Sequence, residues 1–95
     1  MAATLVIRER VVYPDGRLAE IVVCQVPGPV PPAAHRFKYR LAYVVGGKRV
    51  LGYDNERGKG DHRHVGGREE PFVFVSIEDL LSRFVAEVEA MRRRQ

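Results

Sequence analysis

An α+β fold is predicted: two β-hairpins plus a short fifth strand in an antiparallel sheet, with one C-terminal amphipathic helix packed on a face. Three observations predict it. Two turn signals, Asp15-Gly16 and Gly46-Gly47, each sit between β-rich runs. The C-terminal segment repeats apolar residues at helical spacing. With 95 residues, 45% hydrophobic and 29% charged, the chain fits one globular domain over 1–95 and argues against disorder.

The first hairpin takes Thr4 to Tyr13 and Arg17 to Val26 around Pro14-Asp15-Gly16. Pairing across that turn sets Tyr13 opposite Leu18, Ile7 opposite Cys24 and Leu5 opposite Val26. Leu5, Ile7, Val11, Tyr13, Leu18, Val22, Cys24 and Val26 then share a core face, with Glu9 and Glu20 at its water-exposed edge. Cys24 is expected there as an inert buried thiol. Residues 27–32, Pro27-Gly28-Pro29-Val30-Pro31-Pro32, exclude a helix or central strand and form an extended connector.

Phe37 to Val45 and Lys48 to Asn55 make the second hairpin around Gly46-Gly47. A two-residue turn gathers Lys38, Arg40, Tyr53 and Asn55 on one side of its open end. Glu56 to Gly67 reads as a polar, glycine-rich functional loop, and Pro71 to Val75 as the fifth strand. Ser76 opens the helix, with Asp79 three residues on in an approximate capping box. Ile77, Leu80, Leu81, Phe84, Val85, Val88 and Met91 form its apolar stripe. Arg92, Arg93 and Arg94 complement the dipole in its last turn.

No apolar run approaches the roughly 18 residues that span a bilayer. The N-terminal stretch lacks a basic region and meets charge at Arg8, so no signal peptide is expected and the location is read as cytoplasmic. A lone cysteine makes neither an intrachain disulfide nor a thiolate zinc site. The net charge of +4 is concentrated in the middle third. Residues 35–68 carry nine Lys and Arg against three acids, together with all three histidines. Such a field suits a polyanion such as RNA or DNA.

The chemistry-bearing stretch is Tyr53-Asp54-Asn55-Glu56-Arg57-Gly58-Lys59-Gly60-Asp61-His62-Arg63-His64. No Gly-Lys-Ser/Thr follows, so it is not a phosphate-binding P-loop. If Asp61 to His64 is extended, His62 and His64 project to the same side. Three uses remain open. The imidazoles can be a metal-free acid–base pair on RNA, needing no cofactor, with Tyr53 and Asp54 orienting them or the substrate. They can hold a divalent metal with Asp54 or Asp61. Or they make phosphate or partner contacts only. Lys38, Arg40, Asn55, Arg57, Lys59 and Arg63 are the candidate substrate-binding residues. His35 is expected in solvent. Phe37, Tyr39, Tyr43 and Tyr53 interleave with cations as base-stacking platforms do, and as half-buried strand aromatics also do.

Lys38-Tyr39-Arg40, the run from Gly52 to His64, and Glu69-Glu70-Pro71-Phe72 resemble the TumE family of bacterial toxins. The resemblance extends over almost the whole chain. It implies the toxin of a type II toxin–antitoxin system, encoded beside a helix-turn-helix antitoxin. Small toxins of this kind commonly cut RNA or block translation. Joined to the chemistry of the His62–His64 loop, on which the residue assignments rest, this makes the expected function an endoribonuclease working by histidine acid–base chemistry. The alternative is a non-catalytic growth inhibitor that binds RNA or the ribosome, and a DNA-directed nuclease is a third class. Exposed strand edges also allow homodimerisation.

Overall fold

The structure, a computed structural model, describes residues 3–94. Six strands follow in order: β1 (Thr4–Val12), β2 (Leu18–Gln25), β3 (Phe37–Val45), β4 (Lys48–Glu56), β5 (Gly60–Val65) and β6 (Arg68–Pro71). Each pairs antiparallel with the next in one sheet, and α1 (Ile77–Arg93) packs on one face. The α+β class is as expected, with six strands in place of five.

The extra strand has a local cause. Gly66 and Gly67, with φ of 55° and 87°, repeat the positive-φ pair of Gly46 and Gly47 at 59° and 77°. They make a third tight hairpin where polarity suggested a loop. Residues 60–65 of the expected 56–67 loop are thus β5, paired with β4 from Glu56↔Gly60 to Leu51↔Val65. Residues 72–75, expected as strand, are irregular instead. Phe72 and Phe74 turn inward against the core, and Phe72 N–H donates to Asp61 O at 3.0 Å.

Two registers differ from expectation, and each difference moves side chains across the sheet. The first hairpin closes with Tyr13 N–H donating to Arg17 O at 2.8 Å, so Val12 meets Leu18 and Ile7 meets Val23. This is one residue from the expected pairing, and one residue flips a strand. Ala19 and Val23 are buried under the helix, while Glu20, Val22 and Cys24 face the other way. Cys24 is half-buried on the helix-free face rather than in the core.

The second hairpin starts as expected, with Val44 opposite Arg49. An irregularity at Val50 then shifts Tyr43 opposite Leu51 and Leu41 opposite Tyr53. Tyr53 and Asn55 therefore turn towards the helix side. Asp54 takes their place beside Lys38 and Arg40.

The core joins Tyr39, Leu41, Tyr43, Leu51 and Tyr53 of the sheet to Leu80, Phe84 and Val88 of α1. Burial of each helix side chain contributes about 2 kcal/mol. Ser76 caps α1, its Oγ accepting from Asp79 N–H at 3.0 Å. At the other end Arg92 lies 3.6 Å over the Tyr13 ring and 3.4 Å from both Asp15 Oδ2 and Tyr43 Oη. These contacts pin the helix terminus to the first hairpin.

Candidate functional site

The helix covers one face of the sheet, and the polar chemistry gathers on the other. On the helix-free face a cleft of about 510 Å³ is lined by Cys24, Lys38, Arg40, Arg49, Asp54, Glu56, Lys59, His64 and Glu69, among others. The alternation of β5 delivers His62 and His64 to this face, beside Asp54 of β4 and Glu69 of β6.

His64 Nε2 is 2.9 Å from Asp54 Oδ1. An ionised carboxylate only accepts, so Nε2 carries a proton. The other ring nitrogen, Nδ1, faces Glu69 Oε2 at 3.8 Å. His62 is fixed in the complementary way. Its Nδ1 lies 3.1 Å from Gly60 O, which accepts, leaving Nε2 to face Glu69 Oε1 at 3.5 Å. Lys59 Nζ reaches the same carboxylate oxygen at 3.5 Å. Arg49 Nη1 approaches Asp54 Oδ2 at 3.4 Å, and Lys38 Nζ donates to Asn55 O. Each imidazole thus spends one nitrogen on a fixed acceptor and presents the other to a common point.

Tyr53, Asp61 and Arg63 are not part of this gathering, whereas Asn55 lines the cleft with its side chain tied to β3. Tyr53 is only 1% exposed and its hydroxyl donates to Glu87 of α1. Burial first, and then that bond to a carboxylate, push its pKa up to about 12. Arg63 pairs with Glu87 and with Glu70 at 2.6 Å, and the Glu87 bond makes it an even weaker acid than a free guanidinium. Asn55 is 1% exposed: its Oδ1 accepts from Tyr39 N–H at 3.0 Å and its Nδ2 donates to Phe37 O at 2.6 Å. These bonds stand in for ladder bonds at the wall of the cleft.

Asp61 faces the helix side and accepts from Tyr39 Oη at 2.6 Å and His35 Nε2 at 2.7 Å. Burial, followed by this bond, raises the Tyr39 pKa. His35 Nδ1 accepts from Phe37 N–H at 3.1 Å, and its ring stacks 3.8 Å from that of Phe74. Far from lying in solvent, His35 is half-buried and ties the end of the proline connector to β5. The set His62, His64 and Asp61 is split across the sheet, and no group of three or more His, Cys, Asp or Glu arranged to hold a metal ion occurs among the described residues. Arg57 sits exposed in the β4–β5 turn. Glu69 and Arg49 belong to the cleft without having been singled out. The hairpin signal Gly66-Gly67 would have put Glu69 opposite His64.

An antiparallel sheet with one helix-backed face and one titratable, cation-rimmed face defines a small α+β protein built to present its chemistry on open strands. The chain belongs to the TumE toxin family, whose model, Toxin TumE, matches residues 2–92. It is on that footing a toxin of a toxin–antitoxin system, and an antitoxin is its implied partner. Comparison with curated proteins and with solved structures gave no match. No helix among the described residues is long and apolar enough to cross a membrane.

Proposed function

We propose that this toxin is an endoribonuclease acting in the cytoplasm, with His62 and His64 as its acid–base pair. The observation that carries the reading is the Asp54–His64 contact of 2.9 Å inside a cleft rimmed by Lys38, Arg40 and Lys59. A carboxylate behind an imidazole fixes its tautomer and stabilises its protonated form, as in hydrolytic triads.

His64 Nδ1 takes the proton of a ribose 2′-hydroxyl. The freed oxygen attacks the adjacent phosphorus, and the bond from phosphorus to the 5′-oxygen breaks. His62, protonated on Nε2, gives that proton to the departing 5′-oxygen. The products are a 2′,3′-cyclic phosphate and a 5′-hydroxyl, and no external reactant is consumed. Lys38, Arg40 and Lys59 bind the phosphates and offset the charge that grows in the transition state. Arg57, at the neighbouring turn, extends the cationic rim.

The test is incubation of the purified protein with RNA, with and without EDTA, beside a His62→Ala/His64→Ala variant. Cleavage that survives EDTA, leaves cyclic phosphate ends and disappears in the variant is the expected result. Full cleavage by the folded variant overturns it. Tight RNA or ribosome binding without turnover replaces it with inhibition by occupancy.

A further inference from the structure

The two edges of the sheet are built differently. The β6 edge is four residues long, carries Arg68, Glu69 and Glu70, and ends at Pro71. Charge, shortness and proline are the usual protections of an edge. The β1 edge has none of that brevity: it runs nine residues, all of them exposed but the half-buried Ile7. Leu5, Val11 and Val12 are 55%, 48% and 61% exposed.

The ladder shows which backbone groups are unspent. Tyr13 N–H donates to Arg17 O at 2.8 Å, and antiparallel bonding alternates residue by residue from there. Ile7, Glu9 and Val11 turn their amides inward to β2. Arg8, Arg10 and Val12 turn theirs outward, with side chains on the helix-free face. On the helix side, an apolar groove of about 110 Å³ runs between this edge and α1, lined by Val11, Ile21, Phe84, Val85 and Val88, among others. Val85 is the one member of the helix stripe left 46% exposed.

A second copy of the chain fits this edge poorly. Antiparallel two-fold pairing that overlaps most of β1 sets Arg8 against Arg8, or Arg8 against Arg10 with Glu9 against Glu9. Like charges directly opposite one another destabilise a strand pair. The complementary occupant is a strand with acidic side chains on the helix-free face, meeting Arg8 and Arg10. On the other face its apolar side chains meet Val11 and the Val85 groove.

We infer that β1 is the docking edge for the antitoxin, which adds an extended acidic–apolar segment as a seventh strand. The inference rests on the family's implied antitoxin and is independent of whether the cleft cuts RNA.

The experiment is amide hydrogen exchange by NMR on the toxin alone and bound to its co-expressed cognate antitoxin. The amides of Arg8, Arg10 and Val12 exchange freely in the toxin alone and become protected in the complex. Those of Ile7, Glu9 and Val11 are protected in both. In parallel, an Arg8→Glu/Arg10→Glu variant, altered only at exposed side chains, binds antitoxin about tenfold or more weakly while still arresting growth. Arg10→Pro, which removes an outward N–H tolerated at an edge, does the same. Unchanged exchange at Arg8, Arg10 and Val12 in the complex overturns the inference. So does a dimer of the toxin alone that Arg10→Pro dissociates, because the edge then belongs to a second copy.

Discussion

Asp54 stands opposite His62 in the β4–β5 ladder, yet its carboxylate binds His64, one pair further along the same face, at 2.9 Å. The residue opposite His64 is Gly52, which leaves that diagonal open. Space there is tight. A Cβ on Gly52 would come 2.8 Å from Arg49 Cδ and 3.3 Å from Leu41 O. The missing side chain thus gives Arg49, Asp54 and His64 a common floor.

Gly52→Ala should therefore fold and still damage the site. Arg49, a flexible side chain, moves off Asp54, while the Leu41 carbonyl resists. Overpacking of this kind costs about 1–3 kcal/mol. RNA cleavage should fall about tenfold through misplacement of the dyad. Thermal melting and single-turnover cleavage of the same preparation separate the two effects. Unaltered cleavage would show that Arg49 and Gly52 do not shape the cleft.

Asp54→Asn tests the dyad directly. The amide can donate to His64 Nε2 and so select the wrong tautomer, as in triads. Cleavage should drop about 10²–10⁴-fold. The melting temperature should change little, because Asp54 lies on the helix-free face. The pH–rate profile should lose the limb that reports the base.

Lys38, Arg40 and Lys59 differ from Arg63 in a way that salt can read. The first three rim the cleft, whereas Arg63 is engaged with Glu87 and Glu70 on the helix side. Alanine at each of the three should lower the slope of log affinity for single-stranded RNA against log salt by about 0.7. Arg63→Ala should leave that slope intact and lower stability instead. Fluorescence anisotropy across a salt series, beside thermal melts, decides it.

Tyr53 makes a prediction in alkaline solution. Its hydroxyl ionises near 10 when unfolded and near 12 in the native state. Between those values the unfolded chain has released a proton that the folded chain still holds, so stability falls as pH rises from about 10 to 12. It is fully present below 10. Tyr53→Phe should make the loss in that window shallower, leaving the part due to Tyr39, whose pKa is raised as well, and cost about 1–2 kcal/mol at neutral pH through the missing bond to Glu87. Urea melts at a series of pH values measure both.

Much of this was legible in the chain, and what was not has a common physical origin. The helix was readable to its cap because Ser76 and the Leu80–Phe84–Val88 stripe act locally. The Gly46-Gly47 and Asp15-Gly16 hairpins were readable for the same reason, whereas Gly66-Gly67 was hidden in the polarity of its surroundings. Face assignment was not, because period-two alternation carries no absolute phase. A loop of three residues at Pro14-Asp15-Gly16 and a bulge at Val50 each move the phase by one. Cys24, Tyr53 and Asn55 changed sides on those two details alone. His62 and His64 kept theirs, since their spacing along one strand is independent of the turns. Asp61 and Arg63 are their immediate neighbours, and adjacency in sequence is the reason they face away.

β5 thus divides its labour by parity. Asp61 and Arg63 anchor the connector and the helix, while His64 lines the cleft and His62 lies beside it against Glu69. Under the proposed mechanism, a cell without antitoxin would feel substitutions at the first pair as loss of the protein, and at the second as loss of the poison. A lineage escaping its own toxin would then have both exits within four consecutive codons, and only one of them leaves a folded protein for the antitoxin to hold.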